Sequence, residues 1–167
     1  MKRYLIISLS ALLIAMSFSA LAHAQGFVTE RQISLSLAQA AAQAAVEQCR
    51  ADGFRVSAAV VDRAGHLKAL LRDDDTGPHT LDSARRKAFT ALSFRTSTGE
   101  LAGRVANNPE AANLEDISDE LLILAGGLPI MAGEEVVGGL GVGGAPGGDR
   151  DEACAQAGIQ AITNQVQ

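Results

Sequence analysis

The chain has 167 residues, 14 Lys and Arg against 19 Asp and Glu, a formal charge of −5, and no Trp. This is the size of one ordinary domain. Its acidic balance argues against nucleic acid or an anionic membrane surface as partner.

Lys2 and Arg3 precede an apolar run that begins at Tyr4 and ends in the small residues Ala22-His23-Ala24. Charged, apolar, then A-x-A is the order of a secretory signal, and the run is too short and wrongly flanked to span a membrane. Residues 1–24 are therefore expected to be a signal peptide and 25–167 the working domain, free in the periplasm or medium. Cleavage after Ala24 leaves 143 of the 167 residues and, with Lys2 and Arg3 gone, takes the formal charge from −5 to −7.

From Leu37 to about Ala51 an apolar stripe at Ala38, Ala42, Ala45, Val46 and Cys49 has helical spacing, with Ser36 and Gln39 as a capping box and Gly53 as the stop. Phe54 to Asp62 alternates as a strand does. Arg63-Ala64-Gly65-His66 then turns the chain into Leu67 to Arg72, which makes a β-hairpin. After Asp73-Asp74-Asp75 and the breaker Gly77-Pro78, a second helix is predicted from about Thr80 to Phe94. Its stripe is Leu81, Ala84, Ala88 and Leu92, with Arg85, Arg86 and Lys87 largely outside it. From Thr96 to Asp119 the pattern weakens to short helical turns and loop, broken at Pro109.

Three apolar runs follow, Leu121 to Ala125, Leu128 to Ala132 and Val136 to Val142, separated by glycine turns too tight for crossover helices. An antiparallel meander is expected. A last helix starts near Asp149, with Asp149 and Glu152 as a capping box, and buries Cys154, Ala157, Ala161 and Ile162. The whole is an α+β domain with five antiparallel strands and helices over the faces. If the first and last strands pair, Cys49 and Cys154 come to adjacent helix ends, both facing inward. A disulfide and two small buried residues remain the alternatives at this point.

Few residues have the makings of a site. Gly139, Gly141 and Gly144 form a G-x-G-x-x-G, but inside a strand, where the dinucleotide reading fails and close approach of another backbone is the better account. The loop Gly143-Gly144-Ala145-Pro146-Gly147-Gly148 runs into a helix start and offers amide groups to a carboxylate or phosphate, or else is a plain connector. No cluster has zinc spacing. His66 belongs to a turn and faces water. His79 lies in the loop before a helix carrying Arg85, Arg86 and Lys87, so an imidazole and cations able to meet carboxylates stand close in sequence.

Four blocks, AAVVDRAGHLKALLRDD (Ala58 to Asp74), HTLDSARRKAFTA (His79 to Ala91), GGLPI (Gly126 to Ile130) and VVGGLGVGGAPGGDRDEACAQAG (Val136 to Gly158), give the chain a family likeness. In that order they resemble the GlcG/HbpS-like haem-binding proteins, relatives of the carboxy-terminal domain of PduO-type proteins, over about Leu35 to Ile162. The resemblance implies a profilin-like α-β-α sandwich with strand order 2-1-5-4-3, a symmetric homo-oligomer, and haem binding with a haem-handling or sensory role that involves a sensor partner. On that basis the domain is expected to be a non-enzymatic haem binder. His79 would be the iron ligand and Arg85 or Arg86 the partner of a propionate. The rival is a binder of, or enzyme acting on, a small acidic metabolite held by the glycine loop at Gly143 and Gly144, without haem. Two departures from the family pattern fall at the site: Asp74-Asp75-Thr76 where Asp-Gly-Ala is frequent, and Gly141-Val142-Gly143-Gly144 where Gly-Val-Ser-Gly is frequent.

Overall fold

A computed structural model of the chain describes Gly26 and residues 28–166, so the signal segment expected at 1–24 lies outside the described residues. The elements in chain order are α1 (Leu35–Ala51), β1 (Ser57–Asp62), β2 (Leu67–Arg72), α2 (Thr80–Phe94), α3 (Thr98–Ala106), β3 (Gly127–Ala132), β4 (Glu135–Gly143) and α4 (Gly148–Ile162), with short 3-10 turns at Pro109–Ala111, Leu114–Ile117 and Thr163–Gln165.

Helix α1 starts two residues before the expected point, because Ser34 and not Ser36 is the cap: its hydroxyl accepts from the Leu37 amide at 3.3 Å. Its whole expected stripe is buried. Gly53, at φ 84°, ends the helix, and the amide of Phe54 donates back to Cys49 at 2.8 Å.

Strand β1 follows and is buried on both sides, from Ser57 to Val61. Asp62 Oδ1 accepts from the amides of Ala64 and His66 at 3.0 and 3.1 Å, closing the turn into β2. The sheet order is β2-β1-β4-β3, all antiparallel, with Ser57 opposite Gly143 and Val60 opposite Leu140 in the central pair.

The described sheet thus has four strands, where five were expected. Leu121–Ala125 is the segment that fails to become one. Leu121 and Ile123 are buried as an alternating strand would bury them, but their backbone bonds go elsewhere. The Leu122 amide donates to Thr90 Oγ1 at 2.8 Å, Arg86 donates to the Leu121 carbonyl, and the Leu124 amide turns back onto Leu122 at 3.0 Å. Backbone groups engaged in this way are not available to a ladder.

One face of the sheet carries α1 and α4 over Ala58, Val60, Ile130, Leu140 and Val142. There Gly158 brings α4 onto the backbone of α1, since a Cβ at 158 would stand 2.5 Å from the Ala41 carbonyl oxygen. The buried stripe of α4 is Cys154, Ala155, Gly158 and Ile162, not the expected Ala157 and Ala161: the face follows this close approach rather than the alanine spacing. Gly147, without a side chain, stands at the helix start where Asp149 was expected to cap. Cys49 and Cys154 are joined in a disulfide, Cα to Cα 5.4 Å, across a sequence separation of 105. Closing a loop of that length restricts the unfolded chain by roughly 4 to 5 kcal/mol.

The other face carries α2. Gly139, Gly141 and Gly143 alternate along β4 and so point the same way, at that helix. A Cβ at 139 or 141 would meet the carbonyl oxygen of Ala88 or Ala84, and one at 143 the Ser83 hydroxyl, all inside 3.0 Å. The helix backbone therefore rests directly on the strand backbone, as the strand-glycine reading required. Lys87 was expected largely outside the buried stripe, yet it is 1% exposed. Its ammonium donates to Asp151 Oδ2 at 2.7 Å and to the Val142 carbonyl at 3.0 Å.

Gly141→Ala should be among the most destabilising single-methyl additions in the chain, lowering stability by about 3 kcal/mol or more, because helix backbone that cannot swing aside lies in the way. Gly103→Ala, in helix α3 with nothing within 4 Å of its added carbon, should instead stabilise by about 0.4–1 kcal/mol. Urea melts of the two variants check both signs.

Candidate functional site

The loop from β2 into α2 is held by its own polar groups. Thr80 is buried, donates its hydroxyl to the Gly77 carbonyl at 2.7 Å, and lies 2.7 Å from the Ser57 hydroxyl of β1. Arg72 donates through Nε to the Thr76 carbonyl at 3.0 Å. Asp73 is buried and clamped by Arg50, Nη2 at 2.6 Å and Nε at 3.2 Å, with Arg55 at 3.8 Å. The hydrogen bond from Arg50 holds the Asp73 carboxyl below the usual range against the opposing effect of burial. The acidic run is thus split: Asp73 faces inward to arginine, while Asp74 and Asp75 are exposed.

His79 occupies the cap position of α2 in helical conformation and makes no capping bond through its side chain. It is exposed, and among the described residues its ring has no hydrogen-bond or ion-pair partner. The imidazole lies back over Gly77. A Cβ at 77 would stand 2.7 Å from Cε1 and 3.0 Å from Nδ1 but 3.8 Å from Nε2. The Cε1–Nδ1 edge is therefore against the loop, and Nε2 is the nitrogen further from it. Gly77 was read from the sequence as a breaker only; its part in seating the ring depends on a rotamer that no spacing encodes. His66, by contrast, is 81% exposed in the β1–β2 turn, 3.8 Å from Asp62.

Arg85 and Arg86 are on the same helix as His79 but are already engaged. Arg85 pairs with Glu120 and, at 3.0 Å, with Asp82. Arg86 donates to the Leu121 carbonyl, lies 3.8 Å from Asp82, and has a buried Nε with no hydrogen-bond partner among the described residues. Seven residues is close to two helical turns, so Arg86 shares the face of His79 about 10 Å along the axis, while Arg85 is turned away from it.

Gly143 and Gly144 lie beneath this helix start. Gly143 packs on Ser83 and on the backbone of Ala84 and Thr80, so the space a serine side chain would need at 143 is taken by Ser83. Gly144, at φ 135°, passes against the backbone of Arg55 and Val56. The structure thus brings the two glycines up to the turn that His79 begins. It also shows what the following loop holds: the Ala145 amide donates to Asp151 Oδ1 at 2.9 Å. Burial raises the Asp151 carboxyl, opposed by Lys87 and by the amides of Ala145 and Gly144. The carboxylate in that loop is the chain's own.

Among the described residues no group of three or more His, Cys, Asp or Glu side chains is placed to hold a metal ion, and no helix is long and apolar enough to cross a membrane. A single exposed imidazole with an unused nitrogen lone pair suits an iron that brings its other ligands with it, as haem iron does.

Comparison with known proteins identifies the family. The family model described as haem degrading protein HbpS-like matches residues 33–160. Protein GlcG of Escherichia coli K12 is 33% identical over 110 residues, 66% of this chain and 80% of that protein. The crystal structure of a double mutant of Streptomyces reticuli HbpS superposes with a TM-score of 0.79 at 44% identity, covering 87% of this chain and 97% of the other. That of a PduOC:heme complex superposes with a TM-score of 0.71 at 29% identity, covering 78% and 95%. With its two-sided sandwich, its glycine-lined strand and a match running from the start of α1 into α4, the chain belongs to the HbpS-like family.

Proposed function

We propose that this protein is an exported haem-binding protein with a haem-handling or sensory role, in which Nε2 of His79 ligates the iron and a propionate is met by Arg86 or Arg85. The observation that carries the reading is the His79 imidazole, exposed, uncommitted among the described residues, and seated on Gly77 with Nε2 away from the loop. Support comes from the family and from a related domain crystallised as a heme complex.

The chain's own contribution is binding and orientation. His79 supplies one nitrogen donor from a helix start that Thr80 and Ser57 tie to the sheet. Arg86 supplies a positive charge on the same face. Its partner Asp82 is 59% exposed, so a propionate exchanges one solvated carboxylate for another. Iron in the porphyrin supplies the spectroscopic signature and any redox chemistry. The reading of a small acid at Gly143 and Gly144 draws no support from the loop, where Asp151 already accepts the Ala145 amide.

Hemin titration followed in the Soret region tests the assignment. His79→Ala should weaken binding by at least about tenfold and remove the imidazole-type spectrum, while His66→Ala leaves both as they are. Replacing Arg85 and Arg86 together with glutamine should weaken affinity and keep the spectrum of the haem that still binds. A His79 variant with unchanged affinity and spectrum overturns the ligand assignment, and wild-type protein without saturable hemin binding overturns the function.

Gly77→Ala is a finer probe. The added methyl meets only the mobile end of a side chain, so stability should change by less than about 0.5 kcal/mol while the ring is pushed off the loop. Nitrogen-15 spectra of the His79 ring in haem-free protein should shift. Hemin affinity should fall by about tenfold, the scale of losing a group that orients a ligand.

Export and assembly are part of the same proposal. Mass spectrometry of protein recovered from the periplasm or medium should give Gln25 as the first residue, and light scattering should give a homo-oligomer at micromolar concentration. An intact Met1 or a monomer mass would remove the respective element.

A further inference from the structure

At the far end of α2 from His79, roughly 22 Å away for a helix of 15 residues, lies a cleft of about 540 Å³. This volume is within the ~300–1,000 Å³ range of small-molecule sites. Three tips meet there: the β1–β2 turn, the end of α2, and the β3–β4 turn. Phe89 and Leu92 give the cleft an apolar side, and Arg63, Arg95, Glu134 and Glu135 give it charge.

Arg95, Glu134 and Glu135 are not spent on one another. Arg63 donates to the Val136 carbonyl at 3.2 Å. Arg95, Glu134 and Glu135 are exposed and have no ion-pair partner among the described residues, although all three line the same cleft. Arg95 ends α2 at φ 54°, the left-handed position that glycine or asparagine ordinarily takes. A guanidinium is thereby kept at the rim at some cost in backbone strain. Gly65, at φ 83°, does the converse: a Cβ there would stand 2.7 Å from the Phe89 ring, so its absence leaves the ring edge room.

We infer that this cleft is a binding site for a small zwitterion with an apolar body, an α-amino acid in chemical class. Its carboxylate meets Arg95, its ammonium meets Glu134 or Glu135, and its side chain lies against Phe89 and Leu92. The charge pattern excludes simpler ligands. A plain anion would face two carboxylates, a plain cation would face Arg95 and Arg63, and an uncharged molecule would cover charges without pairing them. The site does not depend on haem.

Titration of the full protein with L-phenylalanine, 3-phenylpropanoate and phenethylamine, followed by amide chemical shifts, tests the inference. L-Phenylalanine should bind saturably, with shifts centred on Phe89, Leu92 and Arg95. Either analogue lacking one charge should bind at least about tenfold more weakly, the cost of a lost charged hydrogen bond. Arg95→Gln and Glu134→Gln with Glu135→Gln should each weaken binding by a similar factor with unchanged thermal melting, and His79→Ala should have no effect. Equal affinity for all three probes, no saturable binding of L-phenylalanine and L-leucine alike, or shifts centred elsewhere would each overturn it.

Discussion

The contact on which the rest of this domain depends is that of helix α2 with the glycine strip of β4. Three residues without side chains, Gly139, Gly141 and Gly143, let the helix settle until its own carbonyls and Ser83 fill the space side chains would need. Gly127 on β3, opposite Gly141, does the same beneath the backbone of Lys87. A helix this close leaves little room for side chains directly over the strand, and Ala84, Ala88 and Ala91 are among its buried residues. The direction of α2 then fixes where the two proposed sites lie, His79 at its beginning and the charged cleft at its end.

Close packing also draws a charge inside. Lys87 is on the helix face that descends toward the sheet, and its ammonium reaches the Val142 carbonyl and Asp151 with almost no exposure. A buried pair of this kind adds little net stability compared with an apolar substitute, but loss of one partner leaves the other charge stranded, at about 3–5 kcal/mol. Its value here is in geometry. Asp151 holds the amide of Ala145 with one oxygen and Lys87 with the other, so a single carboxylate fixes the glycine loop, the start of α4 and the middle of α2 together. Glu152, the next residue, takes the amides of Gly99 and Gly126 at 3.2 and 3.3 Å and ties in α3 and the strand entry.

The opposite layer is secured differently. The last turn of α1 carries both Cys49, bonded to Cys154 in α4, and Arg50, which holds Asp73 beyond the end of β2. One residue reaches across the helical layer and its neighbour reaches toward the sheet. The loop that presents His79 begins at Asp73, so the disulfide side of the molecule bears on how rigidly that histidine is offered. Asp73 contributes this as a carboxylate. Its folded pKa is depressed by Arg50, so the contribution is present above the unfolded value near ~4 and is lost as pH falls through the lower folded value.

Much of this was legible in the residues themselves. The small-residue stripe of α1, the span of α2, the hairpin at Gly65 and the glycine strip follow from local periodicity and turn chemistry, which act within a few residues. Both cysteines fell on inward faces for the same reason, and four ordered blocks carried the family. What the tertiary structure alone decided are matters of pairing between distant segments. Leu121–Ala125 has the alternation of a strand, but alternation records burial, and the bonds that make a strand were taken by Thr90 and Arg86. Lys87 looked like one more solvated cation because its partner is 64 positions away. The glycine loop looked open to an outside acid because the carboxylate that fills it arrives from the following helix. Gly77 and His79 are two residues apart, yet the seat of one ring on the other's backbone is a rotamer. The cleft beyond Phe89 is assembled from three turns that meet only when the sheet has formed.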